Sequence, residues 1–438
     1  MRYTNAILLA ILVQSLAAVA HAQGQTQTDF FNDQTMQEVR IAISSRDWET
    51  LKAHWELNTF YAADLTWNGV TVRNVGIRSR GSATRNGTKP GLRVDINHFT
   101  ANQEFLGLKA FSLDNMYSDS SLVRESVTMK MFAKVGIPAP REAHARVYVN
   151  NEYIGAYVII EAIDRTFVTR TFGAAEGQVE TGGYLFEYQY QYPYHFEYLG
   201  PDLGPYAYLF KPETRETDSI VNLYGPIEDM IRRINESSDE EFANAVSKYI
   251  DLAQLMKYVA VETFMSEPDG LAGFFGMNNF YLFRSQQTGR SQLLPKDKDA
   301  SLSFVDADVR YRLDTNVLVH RALAIPEYQQ MYLEALNLCV SVAEAPDVND
   351  SRGWLEREID RQTDQISVSV SDDPVYPYSL DEFAAARDEL LDFARARPAF
   401  VSCQTAALSE EFDSEPNCTI ATRANRPLIA LDALRPKR

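Results

Sequence analysis

The sequence predicts an α+β protein of two lobes, a β-rich N-terminal lobe and a mainly helical C-terminal lobe. Three observations carry that expectation. From residue 63 to residue 161, short runs alternate apolar with polar residues and turn at Asn68-Gly69 and Asn150-Asn151, the signature of hairpins. From residue 218 onward, apolar residues recur at three- and four-residue spacing instead. Only one helical segment, 121–134, interrupts the strands.

Composition bounds the function before any motif does. The chain has 438 residues, 45% of them hydrophobic and 11% aromatic, which is globular and long enough for two cores. A net charge of −18 argues against nucleic acid and anionic membrane surfaces as partners, because both need a basic footprint. Met1-Arg2, the apolar run Ala6–Ala20 and the small-x-small site Ala20-His21-Ala22 predict a secretory signal over 1–22, followed by a flexible leader over 23–32. That run is short for a membrane span, and no later stretch qualifies, so no span is expected in the mature chain. Export permits disulfides; of the three cysteines, Cys403 and Cys418 close a short loop and form the expected pair, with Cys339 buried in a helix. No CxxC or HExxH occurs and the six histidines are scattered, which disfavours zinc.

In chain order, an apolar segment at Gln37–Ile43 precedes a helix over Ser45–Trp55. Strands follow at Ala63–Trp67, Val70–Ile77, Lys89–Ile96 and Lys109–Leu113. The loop between the second and third holds Arg80-Gly81-Ser82, and a strand–Gly/Ser loop–strand unit can offer backbone N–H groups to phosphate. Arg78, Arg80, Arg85, Lys89 and Arg93 crowd this loop, a local sign reversal that suits an anion. Asp119-Ser120-Ser121 caps a helix whose stripe is Val123, Val127, Met131 and Val135; Glu125 lies beside it, and Gly136 ends it. The hairpin Ala145–Val149 and Tyr153–Glu161 then leads into a tyrosine-rich stretch, Tyr184–Tyr208, expected as a half-buried hairpin. Helices follow over 218–235, 239–248, 252–265 (capped by Asp251 with Gln254 three later), 327–342, 352–367 and 379–396.

The stretch from Glu262 to Phe304 holds the candidate chemistry. A helix end gives way to a Gly-rich loop with Asp269 before it and Asn278-Asn279 after it; a hairpin then ends in Asp297 and Asp299. In extended backbone, those two carboxylates share a face. Hard oxygen groups brought together by a hairpin suit Mg²⁺ with phosphate oxygens. Phosphoryl transfer uses such parts: an Asp that orients the hydroxyl, and an Asn and an Asp that hold metal.

The segments GIRSRGSATRNGTKPGLRVDIN (76–97), FLGLKAFSLDN (105–115), SLVRESVTMKMFAKVGIPAPR (121–141), VYVNNEYIGAYVIIEAID (147–164) and 269–303 together resemble the CotH kinase family, whose members look like secreted atypical protein kinases. The resemblance runs in order from about residue 40 to 397. It implies a two-lobed protein-kinase-like fold and an ATP-dependent kinase using Mg²⁺ or Mn²⁺. It also implies a substrate protein in the envelope or extracellular space. On this likeness Arg80, Gly81 and Ser82 belong to the phosphate-covering loop, and Lys89 contacts phosphate with Glu125 as its helix partner. Ile160 and Glu161 lie in the adenine hinge, and Asp269 orients the acceptor hydroxyl. Asn278 or Asn279, Asp297 and Asp299 hold metal. The sequence departs from the family pattern at Lys296 and Lys298, where an aromatic and an apolar residue are usual; alternation predicts that both lysines point away from the metal site. The kinase-like domain is expected over 33–402, with its N-lobe over 33–165 and its C-lobe over 166–402, and a tail over 403–438. A catalytically silent scaffold, and a glycan-active protein using the tyrosines, are the alternatives.

Overall fold

The computed structural model describes residues 24–419; the expected signal segment and the basic chain end lie outside them. The described residues form two compact units: 24–117, 141–162 and 365–377 make the first, and 118–140, 163–364 and 378–419 the second.

The first unit is a closed barrel of seven strands: β1 (Gln37–Ile43), β2 (Tyr61–Trp67), β3 (Val70–Arg80), β4 (Gly91–Asp95), β5 (Ala110–Asp114), β6 (Glu142–Val149) and β7 (Glu152–Glu161). Their order is β1-β2-β3-β4-β5-β7-β6. All neighbours are antiparallel except β1 and β6, which close the barrel in parallel with Gln37 opposite Ala145. Closure removes the open edges on which another strand could pair. Two of the turns are legible in the residues: Asn68-Gly69 and Asn150-Asn151 all take positive φ, the backbone that a two-residue hairpin loop requires. Alternation along the strands turns one face inward, where Phe30, Trp67, Phe105 and Phe111 pack edge to face. Phe30 and Phe31, within the stretch expected as a leader, are buried in this core.

The second unit is mostly helical. Its sheet has four strands: β8 (Tyr184–Tyr188), β9 (Phe210–Pro212), β10 (Phe280–Arg284) and β11 (Ser291–Pro295), in the order β11-β10-β8-β9. The expected hairpin of the central stretch is β10–β11, with Phe280 opposite Pro295. The tyrosine-rich segment is not a simple hairpin: β8 ends at Tyr188, and a loop and the short helix Gly204–Leu209 intervene before β9. Tyr188, Tyr194 and Tyr206 are nevertheless buried, because a tyrosine ring adds much apolar area to a core. The helix Arg124–Val135 buries Val127, Met131 and Val135 and ends in left-handed Gly136; Asp119 accepts the Arg124 N–H from upstream. Asp251 caps the helix Leu252–Phe264 as expected, but the Gln254 side chain does not close a capping box. It bridges to the backbone N–H and C=O of Leu293 on β11. The last helix runs on from Leu380 to Glu410 and carries Cys403, which bonds Cys418; Cys339 is free and buried. Among the described residues, no helix is long and apolar enough to cross a membrane.

Candidate functional site

The second unit gathers the acidic residues of the central stretch at the C-terminal end of the helix Leu252–Phe264. Of its last carbonyls, those of Val261, Glu262 and Thr263 accept backbone N–H groups just past the helix, and that of Phe264 takes a side chain. The fully buried guanidinium of Arg397 donates to Thr263 O (2.8 Å) and Phe264 O (3.0 Å), and also to Val305 O (2.9 Å) and Ala307 O (2.6 Å). It thereby fastens the helix end to the segment that follows the site.

Past the helix, the chain turns through Glu267 and Asp269. The Asp269 carboxylate accepts Asn278 Nδ2 at 3.2 and 3.1 Å and Asn279 Nδ2 at 3.0 Å, so the loop Asp and the Asn pair do meet. Gly270 is required here: a Cβ would lie 2.5 Å from the Glu262 carboxyl carbon. Burial pushes Asp269 up to about 6; the Asn278 hydrogen bond opposes this and the Asp297 charge adds to it. Glu267 is pushed up to about 7, again mainly by burial, with the Lys298 charge opposing and Asp269 adding.

Two expectations fail at the end of β11. Asp297 and Asp299 do not sit on one strand face, because the strand stops at Pro295 and Asp297 takes a left-handed φ of 50°. Asp297 is exposed, while Asp299 accepts the Ser118 hydroxyl. Nor does Lys298 point away. Its side chain is 0% exposed, and Nζ donates to Glu262 Oε1 (2.7 Å) and Asn279 O (2.9 Å). The break in strand geometry at Asp297 is what lets the next side chain turn inward. Burial works against this ammonium, but Glu262, Glu267 and Asp269 outweigh it and raise its pKa. Lys296 is held by Glu187 on β8.

The donors here are hard oxygens, and buried carboxylates with raised pKa values favour a nearby cation. Among the described residues, no three His, Cys, Asp or Glu form a metal-binding group. Mg²⁺ needs no such cage, since one or two carboxylates with water and phosphate oxygens serve it. Asp297 and the Asn278 and Asn279 amide oxygens are donors of that kind.

In the first unit, Lys89 precedes β4 and is 1% exposed. Its carboxylate partner is Asp373, at 2.7 Å, with both side chains fully buried. A separation of 284 residues hid that partner from sequence reasoning. Glu125, the partner expected, is a buried residue of the second unit's helix Arg124–Val135. Arg80 pairs with Asp114 on β5. Gly81 takes φ +115°, and the Ser82 carbonyl accepts the Arg85 N–H, so the loop is a tight turn. Arg85 donates to Ser79 Oγ and O and to Leu57 O, which ties it to backbone. Ile160 pairs with Ser112 on one side and Glu142 on the other, within the barrel. The Glu161 N–H goes to Arg141 O, and its carboxylate takes the Arg141 guanidinium at 2.7 Å.

The CotH kinase protein family matches residues 77–401, and the chain belongs to that family. It is 23% identical over 343 residues to inner spore coat protein H of Bacillus subtilis (strain 168), covering 75% of this chain and 86% of the relative. Among solved structures, the proinflammatory kinase CtkA of Helicobacter pylori matches at 10% identity and a TM-score of 0.28, over 73% of this chain and 95% of that one. A likeness of that size carries no residue correspondence.

Proposed function

We propose that this chain is an exported ATP-dependent protein kinase. It transfers the γ-phosphate to Ser or Thr hydroxyls of an envelope, surface or secreted protein, with Mg²⁺ or Mn²⁺. Membership in the CotH kinase family supports the class, and the spore-coat relative supports a place outside the cytoplasm. The observation that carries the chemistry is the Asp269 carboxylate held by two asparagine amides.

Asp269 orients the acceptor hydroxyl. The hydroxyl oxygen forms the new bond to the γ-phosphorus, the bond to the β–γ bridging oxygen breaks, and ADP leaves with that electron pair. The hydroxyl proton passes to the Asp269 carboxylate, whose raised pKa suits it to receive one. Asn278 or Asn279 with Asp297 would hold the divalent ion, which supplies charge neutralisation on the phosphates. Lys89 would hold phosphate oxygens, with the Arg80–Ser82 turn and the Ile160–Glu161 strand end as the nucleotide's other contacts.

The test is transfer from γ-labelled ATP to a generic acceptor protein by the wild type and Asp269→Asn. Labelling by wild type alone supports the reading; equal labelling by both overturns the role of Asp269. The buried Lys298 beside the acidic cluster favours one second reading, a silent scaffold in which an ammonium replaces a cation. A wild type that binds no Mg-ATP in calorimetry would establish it over the kinase.

A further inference from the structure

The ion pair of Lys89 and Asp373 is more elaborate than a core needs. Asp373 Oδ2 accepts both the ammonium (2.7 Å) and the Ala156 N–H (2.9 Å), and Oδ1 accepts the Val375 N–H (3.0 Å). Gly155, at φ +129°, permits that approach, since a Cβ there would lie 2.5 Å from Oδ2. The segment bearing Asp373 is itself tied down: Tyr153 donates to Ser369 O (2.7 Å), and Arg146 to Ser369 Oγ (3.3 Å) and Asp372 Oδ2 (3.1 Å). The carboxylate is thus locked by several partners.

The ammonium is not. Among the described residues its one hydrogen-bond partner is Asp373, although it has three N–H donors and no exposure. Its other neighbours are the Asp114 charge on β5 and the rings of Tyr157 (5.3 Å) and Tyr376 (6.0 Å). Buried donors are ordinarily satisfied, and a saturated structural pair would leave none over. An anionic ligand's oxygens would complete the set.

We propose that Asp373 is the positioning residue for Lys89, fixing its ammonium so that the unused N–H donors meet nucleotide phosphate. The proposal rests on the kinase reading above, and it moves the lysine's partner from the interrupting helix to the loop after the helix Trp354–Ser371. Removing Asp373 has a signed consequence. Burial already depresses the Lys89 pKa, with Asp373 and then Asp114 pulling it back. Without Asp373 the ammonium loses its proton at lower pH, so phosphate binding weakens earlier as pH rises.

The experiment is calorimetric titration of Mg-ATP across a pH series into wild type, Asp373→Asn, Lys89→Met and the double variant. Melting temperatures are recorded beside each titration. Asp373→Asn should lose roughly 10- to 100-fold in affinity, as expected for a charged hydrogen bond. Its alkaline limb should move to lower pH, and it should add no loss on top of Lys89→Met. Should Asp373→Asn not fold, Tyr153→Phe loosens the same segment and should show a smaller loss in the same direction. A lowered melting temperature with unchanged affinity and an unmoved alkaline limb makes the pair purely structural and overturns the proposal. A wild type that binds no nucleotide overturns the kinase reading, and this one with it.

Discussion

Among the described residues two ammonium groups are buried, one in each unit, and they are held in opposite ways. Lys89 and Lys298 both have fully buried side chains, and each has a carboxylate oxygen at 2.7 Å. Yet the pKa of Lys89 is lowered and that of Lys298 raised. Burial depresses both; the balance differs because Lys298 has Glu262, Glu267 and Asp269 around it, whereas Lys89 has Asp373 close by and Asp114 more weakly. The surrounding carboxylates, beyond the nearest contact, set the direction in which a buried lysine's pKa moves. Lys298 is an internal counter-ion for an acidic cluster. Lys89 is a cation short of partners.

The sharpest way to break this comparison is at Asp269, which belongs to the cluster and to the proposed chemistry. Asp269→Asn should leave Mg-ATP affinity nearly intact and cut transfer by about 10²–10⁴-fold, the usual worth of a positioned acid–base group. Calorimetry beside a labelling assay reads both. Lost nucleotide affinity in Asp269→Asn, with affinity kept in Asp297→Asn, would reverse the roles of the two.

Next in size, Lys298→Met strands three acidic groups and should cost about 3–5 kcal/mol of stability in denaturant titration. Lys89→Met should cost less, because the remaining Asp373 carboxylate still accepts the N–H groups of Ala156 and Val375. Because the Lys298 charge lowers the pKa of both Glu267 and Asp269, the Lys298→Met penalty should shrink as pH falls and level off below about 6, where both acids are protonated even with the lysine present. Equal costs at both lysines would show that neighbouring charge does not distinguish them.

A smaller effect isolates Glu267. Its folded pKa is raised from 4.5 to about 7, so the native state binds its proton more tightly than the unfolded chain. Stability from this group is present below pH 4.5 and is lost as pH rises through about 7. Glu267→Gln should therefore melt higher than wild type at pH 8 in chelator, with the gain absent at pH 4.5. A gain of equal size at both pH values would contradict a raised pKa. The smallest expected effect is Arg85→Ala on Mg-ATP affinity, below that of Lys89→Ala, because Arg85 is tied to Leu57 and Ser79.

Local information was enough for much of this architecture. Alternation and the Asn-Gly and Asn-Asn turns marked the barrel hairpins, because two-residue loops demand positive φ and few residues tolerate it. Helical spacing marked Leu252–Phe264 and its Asp251 cap, and the short interval between Cys403 and Cys418 marked the disulfide. The meeting of Asp269 with Asn278 and Asn279 was legible for the same reason, since nine or ten residues and one loop join them.

What lay beyond the sequence was set by long-range closure and by dielectric. Barrel closure pairs β1 with β6, and nothing local to either strand specifies it. Asp373 reaches Lys89 across 284 residues. Lys298 looked like an outward lysine in an alternating strand; the chain leaves strand geometry at Asp297, and its charge turns inward to Glu262. A period-2 pattern fixes side-chain direction only while the ladder lasts. Whether a buried charge keeps its proton depends on every group around it, and only the tertiary structure assembles those groups.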